Sequence, residues 1–390
     1  MAYNRGKHTS RSRANRRYSV KKRKKRIIIT AILVALAVIL VVGGIWAFLR
    51  FHTYDSYKVK ANLDIANSDE RTNYTSFKGG YIKCAGDGIT CFDKKGVIWA
   101  ETFEMTQPLI DTCESYVAVA DLKGSDIYIY DENGQVNRFS LSHPILDIEV
   151  SEQGVVAAAT NDGASNYIEV LDKEGKELIT AKSVFTSSGY LMDITLSQDG
   201  GTLAAAFIYV SEGTLESKVV FYDFKGEGEI SGGFNQYNDT IVTNVEFLNP
   251  STVCAIGDNA ITIYKVRSTP EIAYEDLDLQ YEIQSVFFDK NRVGMVVEEE
   301  NSDSSYTVKI FNARGRETAS FGIDFPYNHV AFSGKNVMLN SVNDCELYSF
   351  AGVRKFAYSF DERIESLLPC GNGRDYIYAT ANNTEFIRVK

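Results

Sequence analysis

Hydrophobic and polar positions alternate in short runs along most of the chain, and the runs recur. ITCFDKKG, IYIYDENG, IEVLDKEG, VVFYDFKG, ITIYKVRS, VKIFNARG, ELYSFAG and a final EFIRVK each carry a β-rich stretch to an aromatic or aliphatic residue, usually followed by a turn. These anchors are Phe92, Tyr130, Leu171, Tyr222, Tyr264, Phe311, Tyr348 and Ile387, separated by 38, 41, 51, 42, 47, 37 and 39 residues. Period-two alternation of β-branched and aromatic residues between Gly, Asn and Asp predicts strands. A repeat of about 40–50 residues fits one four-stranded propeller blade. Each repeat also opens alike, as in ILDIEVSEQGVVAAAT, LMDITLSQDGGTLAAAF, VTNVEFLNPSTVCAIG, IQSVFFDKNRVGMVVE and YNHVAFSGKNVMLNSV, which predict strands A and B.

A single blade cannot bury both of its faces, so blades must stack, and the ring must close or leave an open edge. The last repeat supplies strand A over 364–369, B over 375–380 and C over 385–389, and then reaches Lys390 without a fourth strand. YKVKANL at 57–63 alternates and can supply it. The fold class expected is all-β: an eight-bladed β-propeller over residues 73–390, closed by the strand at 57–63. Seven blades is the alternative if the first and last repeats merge.

A second pattern stands apart from the strands. The run IIITAILVALAVILVVGGIWAFL, residues 27–49, carries no charge. As a helix rising about 1.5 Å per residue it reaches roughly 35 Å, enough to cross a hydrocarbon core of ~30 Å. Residues 1–26 hold twelve Lys or Arg and no acid, whereas only Arg50 follows the run before the first acid, Asp55. That asymmetry predicts a cytoplasmic N-terminus and an extracytoplasmic remainder. A cleaved signal peptide has an apolar region of only about 7–15 residues and a small-x-small cleavage site, so an uncleaved, single-pass signal-anchor in the cell membrane is expected. The basic tail serves to fix this topology, and residues 50–72 form a stalk.

Charge changes the picture once it is divided at the anchor. Of 41 basic and 51 acidic residues, thirteen basic ones lie in residues 1–50, which leaves 28 against 51 beyond. Such a domain repels nucleic acid and favours cations or basic partners. The six cysteines, at 84, 91, 113, 254, 345 and 370, show neither CxxC nor metal-ligand spacing. In YIKCAGDGITCFD the GDG reads as a two-residue hairpin turn that sets Cys84 opposite Cys91, which leaves open a disulfide or two packed thiols.

SDIYIYDENGQ and DITLSQDGGTLAAAF resemble WD40-type strands, and FDKKGVIWAETF, with Trp99 seven residues after Phe92, resembles blades of quinoprotein-like propellers with PQQ-like repeats. The order of basic tail, anchor, GDGITCFDKKGVIWAETFEM, YVAVADLKGSDIYIYDENG, GASNYIEVLD and VEFLNP is similar to a bacterial family of unknown function: single-span membrane proteins with extracytoplasmic propellers. The resemblance implies architecture and location, and no activity.

Superposed repeats put a polar residue at the opening of strand A: Asn73, Asp111, Asp147, Asp193, Asn244, Ser285, His329 and Ser366. Strand A is innermost in a propeller, so these side chains are expected to ring one mouth of the channel. Asp111, Asp147 and Asp193, with Asn244 and His329, form a candidate site for a cationic ligand, Ca²⁺ or Mg²⁺, since crowded carboxylates raise one another's pKa or recruit a hard cation. The alternative is that they face water or cap amides. A second candidate is the rim made by B–C and D–A connections. NDGASN, YVSEGTLES, EEENSDSS and GGFNQYNDT are expected to place Tyr209, Glu212, Tyr237, Asp239, Glu299 and Asp303 around one side.

Little supports catalysis. His8, His52, His143 and His329 have no Ser or Cys partner at recognisable spacing, and no GxSxG, HExxH, Walker or dinucleotide motif occurs. Trp99 reads as packing between blades and not as a quinone platform. The function expected is a non-enzymatic module without a cofactor that docks an envelope or secreted protein, with a ligand or cation sensor at the channel as the alternative.

Overall fold

The structure, a computed structural model, describes residues 30, 32, 34, 36–44, 51–65, 72–185, 189–224, 234–267, 269–299, 302–371 and 373–390. Met1–Thr53 and Tyr54–Lys390 are two separate compact units. In the first, Thr30, Ile32, Val34 and residues 36–44 are helical. Among the described residues no helix is long and apolar enough to cross a membrane. The tail at 1–26, and residues 27–29, 31, 33, 35 and 45–49 of the expected span, lie outside the described residues.

The second unit is all β. Its strands form eight four-stranded antiparallel sheets, here blade 1 (residues 73–102), 2 (108–140), 3 (145–184), 4 (190–237), 5 (242–276), 6 (282–323), 7 (329–359) and 8 (366–389 together with Tyr57–Leu63). All eight anchor residues fall in the third strand, C, of a blade. Blade 8 is closed as expected: Tyr57–Leu63 pairs antiparallel with Thr384–Val389, from Tyr57 opposite Val389 to Leu63 opposite Thr384. Seven blades is thereby excluded.

Apolar residues on alternate positions of each strand leave both faces of a blade hydrophobic, and eight buried clusters satisfy them, each shared by two consecutive blades. The first strands, A, of successive blades touch one another around the whole ring, so strand A is innermost. At the seam between blades 8 and 1, Phe386 lies 5.4 Å from Tyr81 and 6.2 Å from Phe92 between ring centroids, and the Tyr74 and Thr384 hydroxyls are 3.1 Å apart. Trp99 stacks on Tyr130 of blade 2 at 5.3 Å, which is the interblade packing expected of it.

The turn at Gly86 and Asp87 pairs Cys84 with Ile89 and Ile82 with Cys91. The two cysteines are therefore two positions out of register and not opposite, and both are buried free thiols. The segment 209–217 is not a long loop. Thr202–Ser211 and Thr214–Asp223 are ten-residue strands joined by a tight turn at Glu212 (φ 50°) and Gly213 (φ 89°), a left-handed pair that glycine adopts without strain. Likewise GGFNQYNDT is partly the outermost strand, D, of blade 4, Phe234–Tyr237.

Truncating the seam tests closure. In denaturant unfolding of residues 54–390, Phe386→Ala is expected to lose about 3–5 kcal/mol, whereas Val97→Ala, at a side chain 54% exposed, stays within about 0.5 kcal/mol. Equal effects would mean that the seam is not packed.

Candidate functional site

The C-terminal ends of strand A or the A–B turns of all eight blades line one cavity of about 1320 Å³ on the channel axis, so every strand A points the same way. Two tiers of side chains follow from strand register. In the tier nearer the A–B turns, Asp111, Glu149, Thr195 and Glu246 lie opposite Ala118, Ala157, Ala204 and Cys254, each one residue after the first buried apolar residue of strand B. Two residues earlier stand Asp147, Asp193, Asn244, Ser285 and His329, opposite Ala159, Ala206, Ile256, Val296 and Asn340.

Asp111 therefore belongs with Glu149 and not with Asp147. The two-residue A–B turn of blade 2, against five residues in blade 3, moves its LID motif one tier along the channel. In blades 3 to 6 a register shift falls immediately before the polar residue, between Ile145 and Asp147, Leu191 and Asp193, Val242 and Asn244, and Ile283 and Ser285. Such a bulge re-aims the following side chain.

The acids clamp blade to blade. Val150 N–H donates to Asp111 Oδ2 at 2.6 Å, Val245 N–H to Asp193 Oδ2 at 2.7 Å and Leu196 N–H to Glu149 Oε2 at 3.3 Å, and Ile194 N–H donates to Asp147. Phe247 N–H donates to Thr195 Oγ1 at 3.2 Å, and the Thr75 and Thr112 hydroxyls meet at 3.3 Å. In all but this last hydroxyl pair, the acceptor in one blade holds the amide that follows the equivalent residue in the next. An inner strand flanked by other inner strands leaves amides that need such partners.

Burial raises the pKa of these carboxyls: Asp111 to about 6, Asp147 to about 6 and Asp193 to about 7, the last two with help from neighbouring Asp charges. Glu149 is pushed well above its ordinary value by burial and then by Asp111, Glu246 and Asp147. Glu246 reaches about 8 through burial and the charges of Asp111 and Asp193. Glu149 and Glu246 were not singled out from the sequence, although each lies two residues after a polar residue that was, on the same face of its strand. At the mouth Lys290 Nζ meets Glu114 Oε1 at 2.8 Å, joining the A–B turns of blades 6 and 2. Asn244 Oδ1 accepts from the Thr243 hydroxyl at 3.1 Å. Among the described residues no group of three or more His, Cys, Asp or Glu is arranged to hold a metal ion.

The opposite end carries most of the expected rim. Glu212 caps the blade 4 ribbon, where Tyr209 donates its hydroxyl proton to Glu216 at 2.8 Å. Asp239 and Asp303 are exposed in connections. Glu299 is pinned to Lys309 at 3.0 Å and to the Thr307 hydroxyl at 2.9 Å. Tyr237 is the exception: it is 1% exposed in the cluster between blades 4 and 5, its hydroxyl bonded to that of Tyr264. At position 237 the alternation of strand D turns the ring inward.

Two outcomes follow. For a carboxyl whose pKa is higher folded than unfolded, the folded state holds more protons between the two values, so stability rises as pH falls. The melting temperature of residues 54–390 is expected to climb from pH 8 toward pH 5 (near the raised carboxyl values of about 6 to 8), and to climb less in Asp193→Asn/Glu246→Gln, while Asp193→Ala loses about 1–3 kcal/mol with its clamp. Millimolar Ca²⁺ is expected to leave the melting temperature unchanged, because Asp111, Asp147, Glu149 and Asp193 are already bonded to amides; a rise abolished by Asp147→Asn would favour the cation site.

No curated protein matches the chain by sequence. Among solved structures, Chaetomium thermophilum Sqt1 bound to the N-terminus of ribosomal protein L10 matches with a TM-score of 0.53 at 11% identity, over 86% of this chain and 100% of that one. A eukaryotic initiation factor matches with a TM-score of 0.53 at 12% identity, over 83% and 87%. Chaetomium thermophilum Raptor matches at 11% identity with a TM-score of 0.48; 88% of this chain is covered, and it spans only 29% of that one. The likeness is one of fold alone. Over residues 50–389 the sequence matches the model of a family of unknown function, DUF5711, and the chain belongs to that family.

Proposed function

We propose that the chain is a single-pass, membrane-anchored, extracytoplasmic scaffold, non-enzymatic, that docks a basic protein partner of the cell envelope on the end formed by its D–A and B–C connections. One observation carries this reading. The described residues of those connections hold fourteen acids, among them Glu212, Asp239, Asp278, Asp303, Asp361 and Glu362, against two basic residues, Lys123 and Arg363. A field of one sign on a rigid rim steers an oppositely charged partner and selects against others.

The blade 4 ribbon adds apolar surface to the same end, with Val210 70% and Leu215 41% exposed. Aliphatic side chains beside a charged rim suit an interface core. The likeness to Sqt1, which binds the N-terminus of a ribosomal protein, is compatible with docking but carries only the fold. Anchorage rests on the uncharged run at 27–49 and on the twelve basic residues before it.

Anchorage predicts that the full chain stays in the membrane pellet after carbonate extraction and that protease added outside intact spheroplasts removes residues 54–390; carbonate release or full protection would contradict it. For docking, a photo-crosslinker at Asp303 is expected to give one discrete adduct in cells that a crosslinker at Lys95 does not. Glu212→Lys/Asp239→Lys is expected to weaken that adduct at least about tenfold. An adduct insensitive to charge reversal would remove the acidic rim as its cause.

A further inference from the structure

The charge of the propeller is divided between its two ends. The described residues of the A–B and C–D turns hold eleven basic residues against six acids, in a domain whose sequence as a whole is strongly acidic. Lys78, Lys95, Arg314, Arg316 and Lys335 are among them and are exposed. With six-residue strands rising about 3.3 Å per residue, the two ends stand roughly 20 Å apart. That is more than twice the Debye length of about 8 Å at physiological salt, so each end acts on its surroundings through its own charge.

The basic end is also where the chain enters the propeller. Tyr54 N–H donates to Lys355 O at 2.6 Å, Ser56 N–H to Lys390 O at 3.3 Å, and Lys390 N–H to Ser56 O at 2.9 Å, while the Arg374 guanidinium lies 4.7 Å from the Tyr54 ring centre. Lys355 is the second residue of strand D of blade 7 (Arg354–Ser359), so this entry point is on the side of the C–D turns. By sequence only residues 50–53 separate the apolar run from Tyr54, a tether of at most about 18 Å.

We infer that the A–B and C–D end rests on an anionic lipid surface. The charge is complementary to acidic headgroups, each Lys or Arg held near such a surface adds attraction, and a short tether ends on this side. This inference rests on the anchorage proposed above but not on the identity of the docked partner.

Residues 54–390 form a compact unit with all eight blades complete, so the test uses that piece, by co-sedimentation with vesicles. Binding is expected to phosphatidylcholine vesicles containing phosphatidylglycerol at low salt, not to phosphatidylcholine alone, and is expected to be lost at high salt. Lys95→Glu/Arg314→Glu/Arg316→Glu/Lys335→Glu is expected to bind at least about tenfold more weakly with an unchanged melting temperature, and Asp239→Lys/Asp303→Lys at the other end is expected not to lose binding. Should the fourfold variant fail to fold, Lys95→Glu/Arg314→Glu is expected to show a smaller loss in the same direction. Equal binding to both vesicles, undiminished binding by a folded reversal variant, or tighter binding to soluble polyphosphate than to the vesicles would overturn the inference. Carbonate extraction of the full chain reads anchorage independently, so failure there is distinguishable from failure here.

Discussion

The pairing of Tyr57–Leu63 with Thr384–Val389 is the constraint on which the rest of the propeller depends. Each blade is a sheet with two apolar faces, and in a row of eight the first and last would leave theirs in water. Closure converts that liability into an eighth cluster, where Phe92, Ile377 and Phe386 meet. The strand that completes blade 8 comes from the start of the unit, so the ring shuts only when both ends of the unit have met. The entropic cost of so long a loop grows only logarithmically with length, and it is offset by a full set of ladder hydrogen bonds and a buried aromatic seam.

Closure also explains the channel. Eight inner strands converge on one axis, and their amides face other inner strands instead of solvent. Asp111, Asp147, Glu149 and Asp193 supply acceptors for the next blade, and Thr195 does the same with a hydroxyl. The acids gather in blades 2 to 5, while the equivalent positions of blades 6 to 8 are Phe287, Ala331 and Leu368. Two chemistries thus serve one packing problem. The carboxylates bring a cost, since burying them side by side raises their pKa values and ties stability to pH.

Much of the fold was legible because strand C repeats a strong signal, an alternating run that ends on a large side chain before a turn. Phe92 to Ile387 found all eight blades, and the leftover alternation of YKVKANL found the closing strand. Features set by counting residues through turns were less legible. Asp111 and Asp147 open similar motifs but sit one tier apart because their A–B turns differ in length. Cys84 and Cys91 missed pairing by two residues for the same kind of reason, and Tyr237 looked like a loop residue because its strand is only four residues long. Net charge misled in another way. A sum over the domain shows an acidic protein, but antiparallel alternation sorts the connections into two ends, one with most of the acids and the other with an excess of Lys and Arg.

Hydrogen exchange at the amides of residues 57–63, in the piece 54–390, tests the closed ring most directly. A shut ring predicts protection of the same order as in Asp375–Ala379 of the same blade, because both open only when the propeller unfolds. Exchange in 57–63 as fast as in the Asp64 and Ile65 connection that follows would show that the eighth blade lacks its outer strand.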